Sequence, residues 1–291
     1  MRPPPQRQGK THREGKEMTT AAWKAIFAMV LASVLLVDAD DAHVKFGYSG
    51  SIGPEKWASL SPGYQMCSKG ERQSPVNIDK SKLAYNPGLA ALERNYVPAN
   101  ATLVNKGYQI ALLFDKNVGT LVVDGKNYSL KSVHWHSPSE HTINGKRFAV
   151  ELHMVHMSDN GRIAVVAILY QIGRRDPFVV QIERKLKELA EEACKGDEEA
   201  YVPVGVVHTR SLKRHSSKYF RYSGSLTTPP CTENVIWSIL GKVREMAEEQ
   251  LAALQAPLSQ ENRNNARPTQ PLNYRAVQLY HESRKHDEYS R

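Results

Sequence analysis

The chain has 291 residues, 41% of them hydrophobic, three cysteines and a formal net charge of +9. That composition is ordinary for a globular protein, and the length allows one large domain or two small ones. The positive charge raises nucleic acid as a partner, but the basic residues are scattered among acids and are not interleaved with stacking aromatics, so a solvated surface is the better reading.

Residues 1–24 are polar and basic, and Ala25 to Val37 is a continuous apolar run followed by Asp38-Ala39-Asp40-Asp41-Ala42. Basic region, short apolar core and small residues predict a secretory signal peptide over 1–42, cut after Ala39 or Ala42, with Met18 as an alternative start. The apolar run is short for a membrane span, and no stable span is expected after cleavage; a signal anchor retained in the membrane is the alternative. Three cysteines, Cys67, Cys194 and Cys231, make one pair and one free thiol in an oxidising compartment, with the pairing left open. Two sequons, at Asn100 and Asn127, agree with secretion to the extracellular space.

Residues 43–80 form a loop-rich layer with Phe46, Tyr48, Trp57 and Tyr64. Short alternating runs then predict strands over Ala101–Val104, Gln109–Phe114, Thr120–Val123 and Tyr128–His136, punctuated by turns such as Asp124-Gly125 and Asn144-Gly145. A further strand is expected from Arg147 to Met157, and Ile163–Ile172 reads as a central strand buried on both faces. The period changes to helical over Val179–Lys195, and a second helix is expected over Met246–Gln255. Between them Val235–Leu240 continues a strand segment. Asn262–Pro271 is irregular, and 281–291 is a polar tail expected to be disordered. The span 43–280 therefore predicts one strand-dominated α+β domain.

Five of the eleven histidines fall between Val133 and His156. His134 and His136 are two apart and share a strand face; on the following strand Glu151, His153 and Val155 share one face and Leu152, Met154 and His156 the other. If Asn144-Gly145 turns one strand onto the next, His134, His136 and His153 converge. Three imidazoles with an open fourth position suit a catalytic zinc, whose water then ionises near pH 7 and attacks an electrophilic carbon. Glu151 and Glu140 are the carboxylates placed to orient the ligand rings. The pair Thr227-Thr228, before two prolines, suits a rigidly held hydroxyl. By parity His156 faces away from the metal.

The stretches His134-Trp135-His136, Ser139-Glu140-His141-Thr142, Glu151-Leu152-His153-Met154-Val155-His156 and Ser225-Leu226-Thr227-Thr228-Pro229-Pro230-Cys231 resemble the α-class carbonic anhydrases, in the form of their plant members. Gln73-Ser74-Pro75-Val76-Asn77-Ile78 and Asn265-Ala266-Arg267-Pro268 resemble them too. The resemblance spans residues 46–280. It implies a twisted, mostly antiparallel sheet of ten strands and a Zn2+ ion on His134, His136 and His153. It implies reversible hydration of CO2 to bicarbonate, with Thr227 as the gatekeeper that accepts from zinc hydroxide and donates to Glu140. Val155, Val165, Leu226 and Val235, with Thr227 and Thr228, correspond to the substrate pocket. Glu151 corresponds to the carboxylate on His153, Tyr48 lines the solvent side, and Cys67 and Cys231 correspond to a disulfide that leaves Cys194 free.

Two positions depart from the family. Tyr108 stands where fast members carry a proton-shuttling histidine, which implies reduced turnover. Ser132 stands where a glutamine commonly orients the first zinc histidine, which implies weaker zinc binding. The resemblance admits a second role, storage or binding with little activity, as in tuber storage proteins on this fold. It also admits plastid delivery through the secretory route. No feature of the sequence specifies an oligomeric state.

Overall fold

The strands follow the β-branched and aromatic runs, and their ends follow turn chemistry. The computed structural model describes residues 44–282, except 117, 195–199 and 215–216. The expected signal peptide over 1–42 lies outside those residues, as does 283–291 of the expected tail. In chain order the first strands are β1 (Asn77–Ile78), β2 (Ala84–Tyr85), β3 (Glu93–Arg94), β4 (Ala99–Asn105), β5 (Ile110–Phe114), β6 (Thr120–Val123), β7 (Lys126–His136) and β8 (Thr142–Ile143). The rest are β9 (Val150–Met157), β10 (Ile163–Ile172), β11 (Tyr201–Val207), β12 (Lys218–Ser225), β13 (Glu233–Leu240), β14 (Arg244–Met246) and β15 (Gln278–His281).

One twisted sheet runs β11-β4-β5-β7-β9-β10-β13-β12-β15-β2, the expected ten strands, with β3, β6 and β14 attached beside that path. Most neighbours are antiparallel; β10 with β13 and β14, and β15 with β2, are parallel. Between β6 and β7, Asp124 and Gly125 have φ of 49° and 72°, the left-handed pair of a two-residue hairpin, and Val123 pairs with Lys126 across it.

Asn144-Gly145 behaves differently from expectation. Its φ values of 49° and 75° form the same kind of turn, but it closes only the bridge Ile143–Lys146. The antiparallel pair β7–β9 is joined instead by the longer segment 137–149, and the strand expected from Arg147 starts at Val150. That segment folds back because β8 pairs with β1, so a distant strand competes for the local turn.

Strand β10 feeds two cores. Val166, Ile168 and Tyr170 face one apolar layer with Trp135, Leu152 and Met154; Val165, Ala167 and Leu169 face another with Trp237 and Ile239. That is why its sequence is apolar without alternation. The expected helix over 179–195 is two helices, α1 (Pro177–Val180) and α2 (Glu183–Cys194). It starts earlier because Asp176 accepts from the N–H groups of Phe178 and Val179, with Pro177 in the first turn. Met246 belongs to β14, beside Ile172, and the next helix begins at Glu248. His281 is not tail: it pairs with Lys218 at the end of β15.

The aromatic layer near the N-terminus packs on Trp57, which is fully buried beside Cys67 and Cys231, with Phe46, Tyr48 and Tyr64 against it. Cys67 and Cys231 form a disulfide across 164 positions, and Cys194 is free and exposed.

Candidate metal centre

In the β7–β9 register His134 lies opposite His153, and His136 opposite Glu151. Residues opposite each other in an antiparallel pair point to one side of the sheet, so all four side chains meet there. Ring centroids of His134, His136 and His153 lie 4.7–5.1 Å apart, and one nitrogen from each falls within 4.8 Å of the others.

Hydrogen bonds decide which nitrogens face inward. His136 Nδ1 donates to the Asn265 carbonyl at 2.7 Å, because a carbonyl can only accept. Its Nε2 is then a lone pair, buried and without a partner. His153 Nε2 donates to Glu151 Oε1 at 2.8 Å, which leaves Nδ1 as the inward lone pair, 3.2 Å from His134 Nε2. Burial holds the pKa of His134 well below the usual imidazole value, helped by its two histidine neighbours, and burial also lowers His136. Neutral rings with converging nitrogens and an orphaned lone pair fit a zinc ion, which takes neutral imidazole at three positions and leaves one open.

Glu151 holds the next layer. Its Oε1 accepts from His153 Nε2 and, at 2.6 Å, from His141 Nδ1; its Oε2 accepts from the backbone N–H of Glu140 and His141. Burial alone would raise its pKa, but the electrostatic and hydrogen-bonding pull of the His141 and His153 N–H groups holds it well below the carboxylate range. His141, Glu151 and His153 could by distance also ligate a metal. Four donors already occupy that carboxylate, so this group is a hydrogen-bonded support.

The support continues in one direction. Since His141 Nδ1 donates, its Nε2 accepts from Tyr222 Oη at 2.7 Å. Tyr222 Oη in turn accepts from Ser74 Oγ at 2.7 Å, and Ser74 Oγ accepts from the Ser225 N–H at 3.0 Å. Gly224 leaves the room this needs: a Cβ there would lie 2.1 Å from Ser74 Oγ. The chain of bonds thus reaches the strand that leads into Thr227.

Glu140 is fully buried at the rim of the histidine cluster, with Oε2 3.5 Å from His136 Nε2. Its Oε1 accepts from the Arg267 N–H at 2.9 Å; Oε2 has no hydrogen-bond partner, so the bond from Thr227 that the resemblance implies is not formed. Thr227 is buried and Thr228 half-buried, in the loop that ends at the disulfide. Val155, Val165, Leu226 and Val235 belong to one apolar cluster with Trp237, whose ring is 4.8 Å from that of His153. Tyr48 is half-buried with an unpartnered hydroxyl, and burial, with Glu140 nearby, pushes its pKa up. Tyr108 is half-buried, its ring 4.5 Å from that of Phe46, and its carbonyl accepts from Asn265 Nδ2. Ser132 lies opposite Val155 and makes no hydrogen bond to His134 among the described residues.

The family model for eukaryotic-type carbonic anhydrases matches residues 52–281. The chain belongs to that family. Alpha carbonic anhydrase 7 of Arabidopsis thaliana is 46% identical over 241 residues, covering 83% of this chain and 86% of the relative. Dioscorin DB3S of Dioscorea polystachya is 36% identical over 251 residues, covering 86% and 92%. Among solved structures, dioscorin complexed with ascorbate superposes with a TM-score of 0.78 at 37% identity, covering 82% of this chain and 98% of that one. The α-carbonic anhydrase of Thermovibrio ammonificans with the inhibitor sulfanilamide gives 0.72 at 36%, covering 81% and 100%.

For this carbonic anhydrase family member, sequence reasoning assigned no role to Asn265, Arg267, Tyr222 or Ser74. Arg267 is almost fully buried and donates to Gln73 Oε1 and to the carbonyls of Ser74 and Cys67, each at 2.8 Å, besides holding Glu140 through its N–H. In the sequence, Asn265–Pro268 carries only the family resemblance. A polar run inside an irregular segment was the one signal available. The sequon residues Asn100 and Asn127 are both exposed on β4 and β7. No helix among the described residues is long and apolar enough to cross a membrane.

Proposed function

We propose that the chain is a zinc enzyme that interconverts CO2 and bicarbonate. The observation that carries this is the buried, unpartnered Nε2 of His136, turned by Asn265 toward the inward nitrogens of His134 and His153. When bound, zinc supplies the Lewis acidity that makes water a nucleophile near neutral pH. The three histidines hold the ion. Glu151 fixes the ring of His153, and Asn265 that of His136. Val155, Val165, Leu226 and Val235 offer CO2 an apolar wall without charge. Thr227 would orient the attacking oxygen once its hydroxyl donated to Glu140 Oε2, the acceptor that the Arg267 N–H leaves open, a bond that this structure does not form. Tyr108 slows the export of the product proton, because a phenol of pKa about 10 exchanges protons poorly near pH 7.

A second reading is a storage or binding protein with little activity. The dioscorin relatives favour it, and Ser132 and Tyr108 are compatible with it. Secretion to the apoplast, with a cleaved signal and glycans on Asn100 and Asn127, completes the proposal; plastid delivery through the secretory route is its alternative.

The test measures zinc content and CO2 hydration of the purified chain beside His134→Ala. Zinc-dependent hydration lost in the variant is expected. An active His134→Ala protein overturns the enzyme reading, and a zinc-loaded but inactive wild type establishes the second one.

A further inference from the structure

On the far side of the sheet from the histidines lies an open cavity of about 490 Å³. Tyr96 lines it, and its hydroxyl bonds His156, whose side chain points away from the face of His153. The remaining wall is Pro98, His208, Thr209, Arg210, Lys213 and Arg214. Two arginines and a lysine are among them, none makes an ion pair among the described residues, and no carboxylate lines the space. Like charges on one wall repel, and an anion between them would relieve that repulsion.

The scaffold keeps the cations turned outward. Arg94, buried beneath, donates to the carbonyls of Leu212, Lys213 and Arg214, and Arg244 donates to that of Ser211. The loop's acceptors therefore point into the protein. A second, independent feature is Thr209. It is 1% exposed, it stands on the cavity wall, and its hydroxyl has no partner. It precedes the short helical turn Arg210–Lys213, where a threonine usually caps, yet its side chain makes no capping bond. A buried hydroxyl without a partner is costly unless something else satisfies it.

Arginine and lysine offer only donors, and the threonine hydroxyl has a donor to give. The matching ligand is therefore all acceptor and more than singly charged. We propose that this cavity binds a dianionic oxyanion, a phosphate or phosphate monoester, held by Arg210, Lys213 and Arg214, with the buried Thr209 hydroxyl rotating to meet it. The volume lies in the range of small-molecule sites and exceeds what a lone anion fills.

Calorimetric titration of the zinc-loaded full chain with inorganic phosphate and with glycerol phosphate tests this. One saturable site is expected. The Arg210→Ala, Arg214→Ala double variant should lose affinity at least tenfold. Thr209→Val, of the same shape, should bind several-fold more weakly while its Tm holds or rises. Tighter binding of glycerol phosphate would assign the remaining volume to the organic part, whereas equal affinities would identify free phosphate. Absence of saturable binding overturns the proposal. So does a double variant that binds like the wild type, since phosphate held at the distant histidines would behave that way.

Discussion

His153 Nδ1 stands 3.2 Å from His134 Nε2, directly across the β7–β9 pair. Two imidazole nitrogens at that distance share a proton or a cation, since two bare lone pairs would repel. Zinc in that place stabilises only the folded chain, because the unfolded chain does not assemble the three nitrogens. Zinc at a thousand times its dissociation constant should add about 4 kcal/mol, a rise in Tm of roughly 10 °C over chelator-treated protein. Thermal melts with and without chelator check this, and His134→Ala should abolish the difference.

Glu151→Gln keeps size but places an amide where four donors converge on one carboxylate. Two of the new group's hydrogens then face other hydrogens in a buried space. The variant should lose about 3–5 kcal/mol of stability and bind zinc about 10- to 100-fold more weakly. Competition against a chelator separates the second loss from the first.

Tyr108, packed on Phe46 beside the segment held by Asn265, carries no group that titrates near neutrality. Concentrated imidazole buffer should raise saturated CO2 hydration several-fold in the wild type. Tyr108→His should reach the higher rate in dilute buffer and gain little from imidazole. Turnover that imidazole leaves unchanged would remove the proton-export argument.

His156 gives the fold an acid limit. Burial lowers its pKa to about 3, against an ordinary value of 6.5. Its Nδ1 donates to the Ala164 carbonyl, and its Nε2 accepts from Tyr96 at 2.6 Å, so the folded chain keeps it neutral. The unfolded chain takes up the proton below pH 6.5 and the folded chain does not. Stability is therefore full above pH 6.5 and falls as pH drops toward 3, by up to about 4–5 kcal/mol from this residue. Urea unfolding at stepwise pH should show that loss, and His156→Gln should show a flatter curve.

The metal face was legible because strand period two is strict: His134, His136, Glu151 and His153 sort by parity alone. His156 sorted correctly for the same reason. The supports were not legible, because their partners are remote. Asn265 meets His136 across 129 positions and Ser74 meets Tyr222 across 148, and no local period marks either. Asn144-Gly145 misled because its turn type is local, whereas the strand ends were set by the pairing of β8 with β1. The basic residues looked scattered along the chain, yet Arg210, Lys213 and Arg214 gather on one cavity wall.

Arg267 and Asn265 also set an order of events in time. A growing chain has all three candidate ligands once His153 is made. It still lacks the carbonyl that chooses the inward nitrogen of His136 and the N–H that fixes Glu140. Both arrive more than a hundred residues later, in the last loop before β15. Until Asn265 and Arg267 are made, the imidazole of His136 has no carbonyl to fix its tautomer, and the ordered centre needs both. An ion held in this way would thus enter only after Asn265 and Arg267 have joined the fold.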